Sequence, residues 1–251
     1  MLNTLILIFL PLLFVFVFHN FMRSILTRRI FSSKLSRYAY LSTAVIGTPI
    51  HELSHAVACL IFGHKINEIK LFTLNGNGSL GYVSHSYNPR SIYHQIGGFF
   101  IAIAPFITAL VICLNAFDMS SIHSRILSAS NIIDIVIIVS QESLNLVLNS
   151  AQTPKQVLTL LLVSIVCFHC IPSNSDFKNA GKGAVYLLVT LAIFVGAALF
   201  IYPTVREPLL LISSTLLNIS KLVVPAFITY VIASLFWLVL LALSFLKGGS
   251  S

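Results

Sequence analysis

The chain has 251 residues, of which 57% are hydrophobic and only 9% are charged. A soluble domain has about 25% charged residues, so this composition excludes an ordinary water-soluble protein. The net charge of +8 comes from 15 Lys and Arg that are scattered among predicted loops. Because no aromatic-basic binding pattern accompanies them, we expect no nucleic-acid partner. A basic cluster between Arg23 and Arg37 is typical of a cytoplasmic loop.

Apolar segments predict about six membrane spans. A helix needs about 20 residues to cross the hydrocarbon core of a bilayer. Six segments approach that length, at residues 2–18, 38–62, 96–117, 157–171, 183–202 and 222–246. Residues 118–155 contain Asp134 and Glu142, and we expect them to lie at the membrane interface. The predicted fold class is an all-α polytopic membrane protein with a single domain over residues 1–247, and residues 248–251 are typical of a tag or linker remnant.

The pattern of residues 66–85 differs from that of the apolar membrane spans. Apolar residues stand on both sides of an Asn-Gly-Asn-Gly run at residues 75–78. Such a pattern predicts two strands joined by a turn. We therefore expect a short β-hairpin inserted between the second and third spans.

A His-Glu-Leu-Ser-His sequence at residues 51–55 lies inside the second predicted span. Residues four apart share one face of a helix, so His51 and His55 can bind one zinc ion while Glu52 flanks it. These polar side chains cost roughly several kcal/mol in lipid unless they have partners, and a divalent cation supplies compensating charge. The motif predicts a zinc-dependent hydrolase in which Glu52 is the general base. A hydrogen-bonded polar patch between helices is the alternative.

A zinc site of this kind needs a third protein ligand. Asp176 is the first candidate, because it follows an apolar segment and Pro172, where unwound backbone can line a polar cavity. The alternative role for Asp176 is that of a loop carboxylate paired with Lys178. The alternative ligands are Glu142, Asp134 and His169.

Other histidines and the cysteines have metal-binding side chains but other expected roles. We expect His64, His85 and His94 to be hydrogen-bonding loop residues. The four cysteines lie in apolar segments, where free thiols serve as small hydrophobic side chains, so we expect no disulfide and no Cys ligand set: Cys59, Cys113, Cys167 and Cys170.

The sequence around the motif resembles the site-2 protease family of intramembrane zinc metalloproteases. The resemblance covers about residues 48–183 and rests on Thr-Pro-Ile-His-Glu-Leu-Ser-His-Ala at residues 48–56, on Gly97, Gly98 and Pro105, and on Asp176. It implies a three-helix core within residues 38–183, in which His51, His55 and Asp176 bind zinc and Glu52 is the general base. The family commonly has Asn three residues after the proline, where Thr108 stands here. The Leu-Asp-Gly of the family is Ser-Asp-Phe here.

The resemblance also implies a substrate. We expect an exposed hairpin edge, including Leu71 and Val83, to pair with an unwound substrate segment, which Thr108 would also contact. A hairpin that only plugs the cavity entrance is the alternative. The predicted activity is hydrolysis of peptide bonds within or near transmembrane segments of membrane proteins. A compact spanning domain with few cysteines is expected in a bacterial cytoplasmic membrane. The alternative is a metal-binding transporter or membrane chaperone without proteolysis. The sequence does not indicate an oligomeric state.

Overall fold

The computed structural model describes residues 21, 28–74, 80–118, 124–125, 128, 132–201 and 227–246. Contacts between Cα atoms divide the chain into two compact units. The first unit comprises Met1–Ile46, Ala109–His169 and Leu216–Ser251, and the second comprises Gly47–Thr108 and Cys170–Thr215.

The described elements are mostly helices, with one small antiparallel sheet. In chain order they are α1 (Lys34–Ile61), β1 (Lys65–Lys70), β2 (Tyr82–Ser86), α2 (Ile92–Ala116), α3 (Ile132–Asn149), α4 (Pro154–His169), α5 (Asn174–Ile201) and α6 (Phe227–Phe245). This order confirms a helical protein with an inserted hairpin.

Four of these helices, α1, α2, α5 and α6, are long and apolar enough to cross a membrane. They match four of the six predicted spans, and the predicted span at residues 2–18 lies outside the described residues. The remaining prediction, a span at residues 157–171, is not supported. The helix there, α4, has 16 residues, about 24 Å at 1.5 Å per residue, against a core about 30 Å thick.

Helix α5 begins nine residues earlier than the predicted span at residues 183–202, because a capping box forms at its start. The Ser173 backbone N–H donates to Asp176 Oδ2 at 2.7 Å, and the Asp176 N–H donates to Ser173 Oγ at 3.3 Å. This reciprocal pair satisfies amide groups that a helix start otherwise leaves without partners. The expectation that Asp176 lies on unwound backbone is therefore wrong, because it stands in the first turn of α5.

The core of the second unit lies between α1 and α2. Ala58, Cys59, Ile101 and Ala104 are buried there, and Phe62, Ile66 and Val83 pack against them. The strands thus contribute apolar side chains to the same core as the helices. Burial of this apolar surface fixes the hairpin beside the end of α1.

A glycine of α2 allows a close approach to Phe62. A Cβ atom on Gly97 would lie 2.6 Å from Phe62 Cβ, so only glycine allows this approach, whereas a Cβ on Gly98 would meet no described atom within 4 Å. At the end of α1, Gly63 has a φ of 69°. This left-handed conformation favours glycine and turns the chain towards β1.

The two strands form a sheet in which Ile66 pairs with His85 and Ile69 pairs with Val83. This pairing confirms the predicted hairpin, while turn residues 75–79 lie outside the described residues. Leu71 is not part of the ladder, because β1 ends at Lys70. Its side chain is 40% exposed.

The first unit contains the predicted interfacial segment and the alternative ligands. Residues 132–149 form one helix, α3, in which Glu142 forms an ion pair with Arg125. His169 Nε2 lies 3.0 Å from Thr43 Oγ1. All four cysteines are buried free thiols, and two of them, Cys113 and Cys167, belong to this unit.

Candidate metal centre

Three side chains of the second unit bring possible metal ligands together. His51 Nε2 and His55 Nε2 are 3.1 Å apart, and Asp176 Oδ2 and Oδ1 lie 3.7 Å and 3.5 Å from them, respectively. One ligand atom from each residue lies within 4.8 Å of the others. The structure thus places the three residues predicted to bind metal in one group.

The spacing of these atoms is close to that of a tetrahedral metal site. Zinc binds His nitrogen and carboxylate oxygen at about 2.0–2.2 Å, which places two ligand atoms of a tetrahedral site about 3.3 Å apart. The two histidine nitrogens are 3.1 Å apart, and each lies 3.5–3.7 Å from a different oxygen of the Asp176 carboxylate. The donor set of two imidazoles and one carboxylate is one that zinc uses in hydrolases, with a fourth position left open.

The orientation of His55 is set by the backbone of α2. His55 Nδ1 lies 2.7 Å from the Ile101 carbonyl oxygen. Because a carbonyl only accepts hydrogen bonds, Nδ1 carries the proton and Nε2 of the neutral ring keeps its lone pair. Metal-binding histidines commonly donate their second N–H to a carbonyl or carboxylate in this way.

Asp176 is oriented by the cap of its own helix. Its Oδ2 accepts hydrogen bonds from the Ser173 N–H at 2.7 Å and from Ser173 Oγ at 2.6 Å. The carboxylate is therefore held in place while Oδ1 lies towards His55. Hydrogen bonds to a ligating carboxylate orient it for metal binding.

Glu52 lies beside this group and touches the hairpin. It is buried, with 7% of its surface exposed, and it lines the same cavity as His51 and His55. A Cβ atom on Gly81 would be 2.8 Å from Glu52 Cγ and 2.9 Å from the carbonyl oxygens of Lys70 and Leu71. The hairpin backbone therefore packs directly on the predicted general base.

The three candidate metal ligands line a cavity of about 490 Å³. Of the predicted substrate-binding residues, Val83 lines this cavity, whereas Leu71 and Thr108 do not. Thr108 instead lines an apolar groove of about 370 Å³ together with Leu53 and Phe100. Substrate contact by Leu71 and Thr108 therefore stays a prediction.

Several residues that build the site were not predicted from the sequence. Ser173 holds Asp176, Gly81 contacts Glu52, and Lys182 lines the cavity. The Ser-x-x-Asp pattern at residues 173–176 is a capping-box signal that the sequence offers. Nothing local in the sequence indicates the contacts of Gly81, because they join residues that are distant along the chain.

A second group of histidines joins the hairpin to the helices. His64 Nε2 donates to the His94 carbonyl oxygen at 2.9 Å, so its Nδ1 accepts from His85 Nδ1, which is 3.0 Å away. These contacts confirm the predicted hydrogen-bonding role. Burial lowers the pKa of His64 and of His85, and the neighbouring His64 lowers the pKa of His85 further.

We expect this histidine pair to make the protein less stable in acid. A histidine whose pKa is lowered by folding takes up its proton more readily in the unfolded state, so its stabilising effect is present above about pH 6.5 and is lost as the pH falls through the folded-state pKa. The melting temperature in detergent should therefore fall between about pH 7.5 and about pH 5.5. The fall should be smaller in His64→Gln; an equal fall in both proteins would contradict this role of the pair.

Comparisons with protein-family models, with curated proteins and with solved structures find no match to this chain. The resemblance to site-2 proteases therefore stays a prediction that rests on the residues quoted for it. The function has to be argued from the geometry of the site.

Proposed function

We propose that this protein is an intramembrane zinc metalloendopeptidase that hydrolyses peptide bonds within or near transmembrane segments of membrane proteins. One observation carries the proposal: His51, His55 and Asp176 bring ligand atoms within 4.8 Å of one another beside Glu52. Three of these four residues belong to a helix that is long and apolar enough to cross a membrane. Ionisable residues at such depth usually serve function.

His51, His55 and Asp176 are the residues that would hold zinc. A zinc ion bound there supplies Lewis acidity, which activates water and polarises a peptide carbonyl. The Ile101 carbonyl keeps His55 in the tautomer with Nε2 available, and Ser173 keeps the Asp176 carboxylate in place. Both ligands are thus held in position by contacts of the protein itself.

Glu52 is the proton carrier in the proposed reaction. Peptide hydrolysis adds water across the C–N bond, so one proton leaves the attacking water and one must reach the leaving nitrogen. A carboxylate beside the reacting atoms accepts the first proton and returns it to the amine. Glu52 follows His51 directly and lines the cavity in which the peptide bond would lie.

In this proposal the hairpin helps to bind the substrate. The sheet contains only β1 and β2 among the described elements, so each strand has one edge that no described strand pairs. Gly81, Val83 and His85 of the second strand region line the cavity. An unwound substrate segment added beside β2 would be held extended next to Glu52. The same hairpin also positions Glu52 through Gly81.

Gly81→Ala should lower cleavage more than zinc binding. The added methyl group would need the space of Glu52 Cγ and of two backbone oxygens, all within 2.9 Å, so the base or the hairpin must shift. A small misplacement of a catalytic group can cost about 100-fold in rate. Gly98→Ala is the matched control, since it adds a methyl group to the same cavity with nothing within 4 Å. Equal rates for the two variants would contradict the proposed contact.

The proposal is tested with purified protein in liposomes and a fluorescent reporter that contains one transmembrane segment. We expect cleavage inside or next to that segment, loss of cleavage on zinc chelation, and recovery when zinc is added back. Zinc binding without cleavage of a panel of such reporters would instead favour a metal-binding transporter or chaperone.

A further inference from the structure

Lys182 lines the same cavity as the candidate zinc ligand. The α5 residues that line this cavity include Asp176, Asn179, Lys182 and Gly183. At about 100° per residue, these side chains cover about a third of the circumference of the helix. The stripe therefore runs from the zinc ligand to a cationic side chain within the same cavity.

The charge of Lys182 has no partner in the described part of the chain. Its ammonium group forms no ion pair or hydrogen bond with the described residues. It lies in a helix that is long and apolar enough to cross a membrane. A charged residue there is costly, and one that faces a cavity commonly marks the path of a substrate or ion.

The groups around Lys182 select for a hydrogen-bond acceptor with negative charge. An ammonium has three donors and no acceptor, and the amide group of Asn179, which lines the same cavity, adds a further donor. A carboxylate has the matching charge and acceptor oxygens. We propose that Lys182 binds a carboxylate of the peptide substrate and so determines specificity, an inference that rests on the proposed proteolytic function.

The helix sets the distance between this contact and the reacting bond. Lys182 is six residues after Asp176, which is about 9 Å along α5. An extended peptide advances about 3.3 Å per residue, so the bound carboxylate lies about three residues from the bond that is cut. Two sources supply this group: the side chain of Asp or Glu in an intact segment, and the C-terminal carboxylate of a chain that another protease has already cut.

Binding to the zinc-loaded Glu52→Gln protein tests the inference without turnover. The probes are labelled transmembrane peptides that carry a single Glu at successive positions, each paired with a Gln peptide, together with a shortened peptide that ends in a carboxylate or in a carboxamide. Fluorescence anisotropy should show about tenfold tighter binding of the carboxylate member of one pair, as expected for a hydrogen bond to a charged group. A preference among the Glu peptides identifies a side-chain source, and one between the shortened peptides identifies a chain terminus.

Variants of Lys182 provide the decisive comparison. In the same protein, Lys182→Gln should remove the preference, Lys182→Arg should keep it, and Lys182→Glu should reverse it in favour of a peptide with Lys at that position. Lys178→Gln is the matched control, because Lys178 is exposed on the same helix and does not line the cavity. Zinc content confirms that each variant is folded.

The outcomes separate this inference from the proposed function. Equal binding of all carboxylate and neutral pairs, or equal effects of Lys182→Gln and Lys178→Gln, would overturn the inference even if the wild type cleaves membrane peptides. A carboxylate preference that depends on Lys182, in a protein that cleaves none of the reporters, would support the binding site and overturn the protease assignment.

Discussion

Glu52→Gln is expected to abolish cleavage of a transmembrane reporter while one zinc ion per chain is retained. Glutamine has nearly the volume of glutamate but cannot accept the proton of the attacking water. General-base catalysis contributes about 10²–10⁴-fold, so the rate should fall at least about 100-fold. The proposed zinc ligands His51, His55 and Asp176 are untouched by the change. Single-turnover cleavage in liposomes and metal analysis of the same sample measure the two effects.

The matched control for this variant is Glu68→Gln. Glu68 belongs to β1, where it pairs with Lys70 at 3.4 Å on the exposed surface of the same unit. Its replacement also removes one negative charge but leaves the cavity unchanged. We expect the control to cleave like the wild type. A Glu52→Gln protein with a rate near that of Glu68→Gln would contradict the general-base role, and loss of its zinc would show that Glu52 mainly orients the ligands.

Gly183→Ala is expected to destabilise the protein strongly, because α5 and α2 approach each other at this glycine. A Cβ atom there would lie 2.4 Å from Phe99 N and 2.9 Å from the Gln95 carbonyl oxygen. Both atoms belong to the backbone of α2, so no side chain can rotate away. Such overpacking costs about 1–3 kcal/mol, more than the gain of up to about 1 kcal/mol from replacing glycine by alanine in a helix.

The melting temperature in detergent measures this effect, and the chain offers matched controls on the same helix. A Cβ on Gly181 or on Gly196 would meet nothing within 4 Å. Gly181→Ala and Gly196→Ala should therefore keep or raise the melting temperature through helix propensity alone. A melting temperature of Gly183→Ala equal to that of these controls would contradict the close approach of the two helices.

The parts of the site that follow from local periodicity could be predicted from the sequence. His51 and His55 lie four residues apart in an apolar helix, and this spacing alone brings their Nε2 atoms to 3.1 Å. The hairpin also follows from a local pattern of apolar residues around a turn. Both features are marked by residues that lie close together in the sequence.

The positions of the expected substrate contacts relative to the candidate metal group depend on how distant segments meet. Thr108 was selected by its distance from Pro105, whereas the part of α2 beside the candidate metal group is marked by the hydrogen bond between His55 and the Ile101 carbonyl. Thr108 is seven residues further, about 10 Å along the helix, and lines the apolar groove instead. Leu71 follows the end of β1, and no sequence pattern marks where the ladder stops.

Asp176 was selected as a ligand for a local reason that is wrong. The sequence was expected to place it on unwound backbone after Pro172, whereas Ser173 starts a helix and Asp176 closes its capping box. The carboxylate reaches the two histidines because the cap orients it from the first turn of α5. A capping role alone would also explain its bonds to Ser173, so the two roles must be separated by experiment.

Zinc content per chain, measured side by side in the purified wild type, Asp176→Ala, Ser173→Ala and His51→Ala, separates them most directly. Loss of the cap should cost Ser173→Ala about 0.5–2 kcal/mol of stability. We predict one zinc per chain in the wild type and in Ser173→Ala, and loss of that zinc in Asp176→Ala and in His51→Ala. A wild type that binds no zinc, or an Asp176→Ala protein that keeps a full equivalent, would contradict the proposed metal centre.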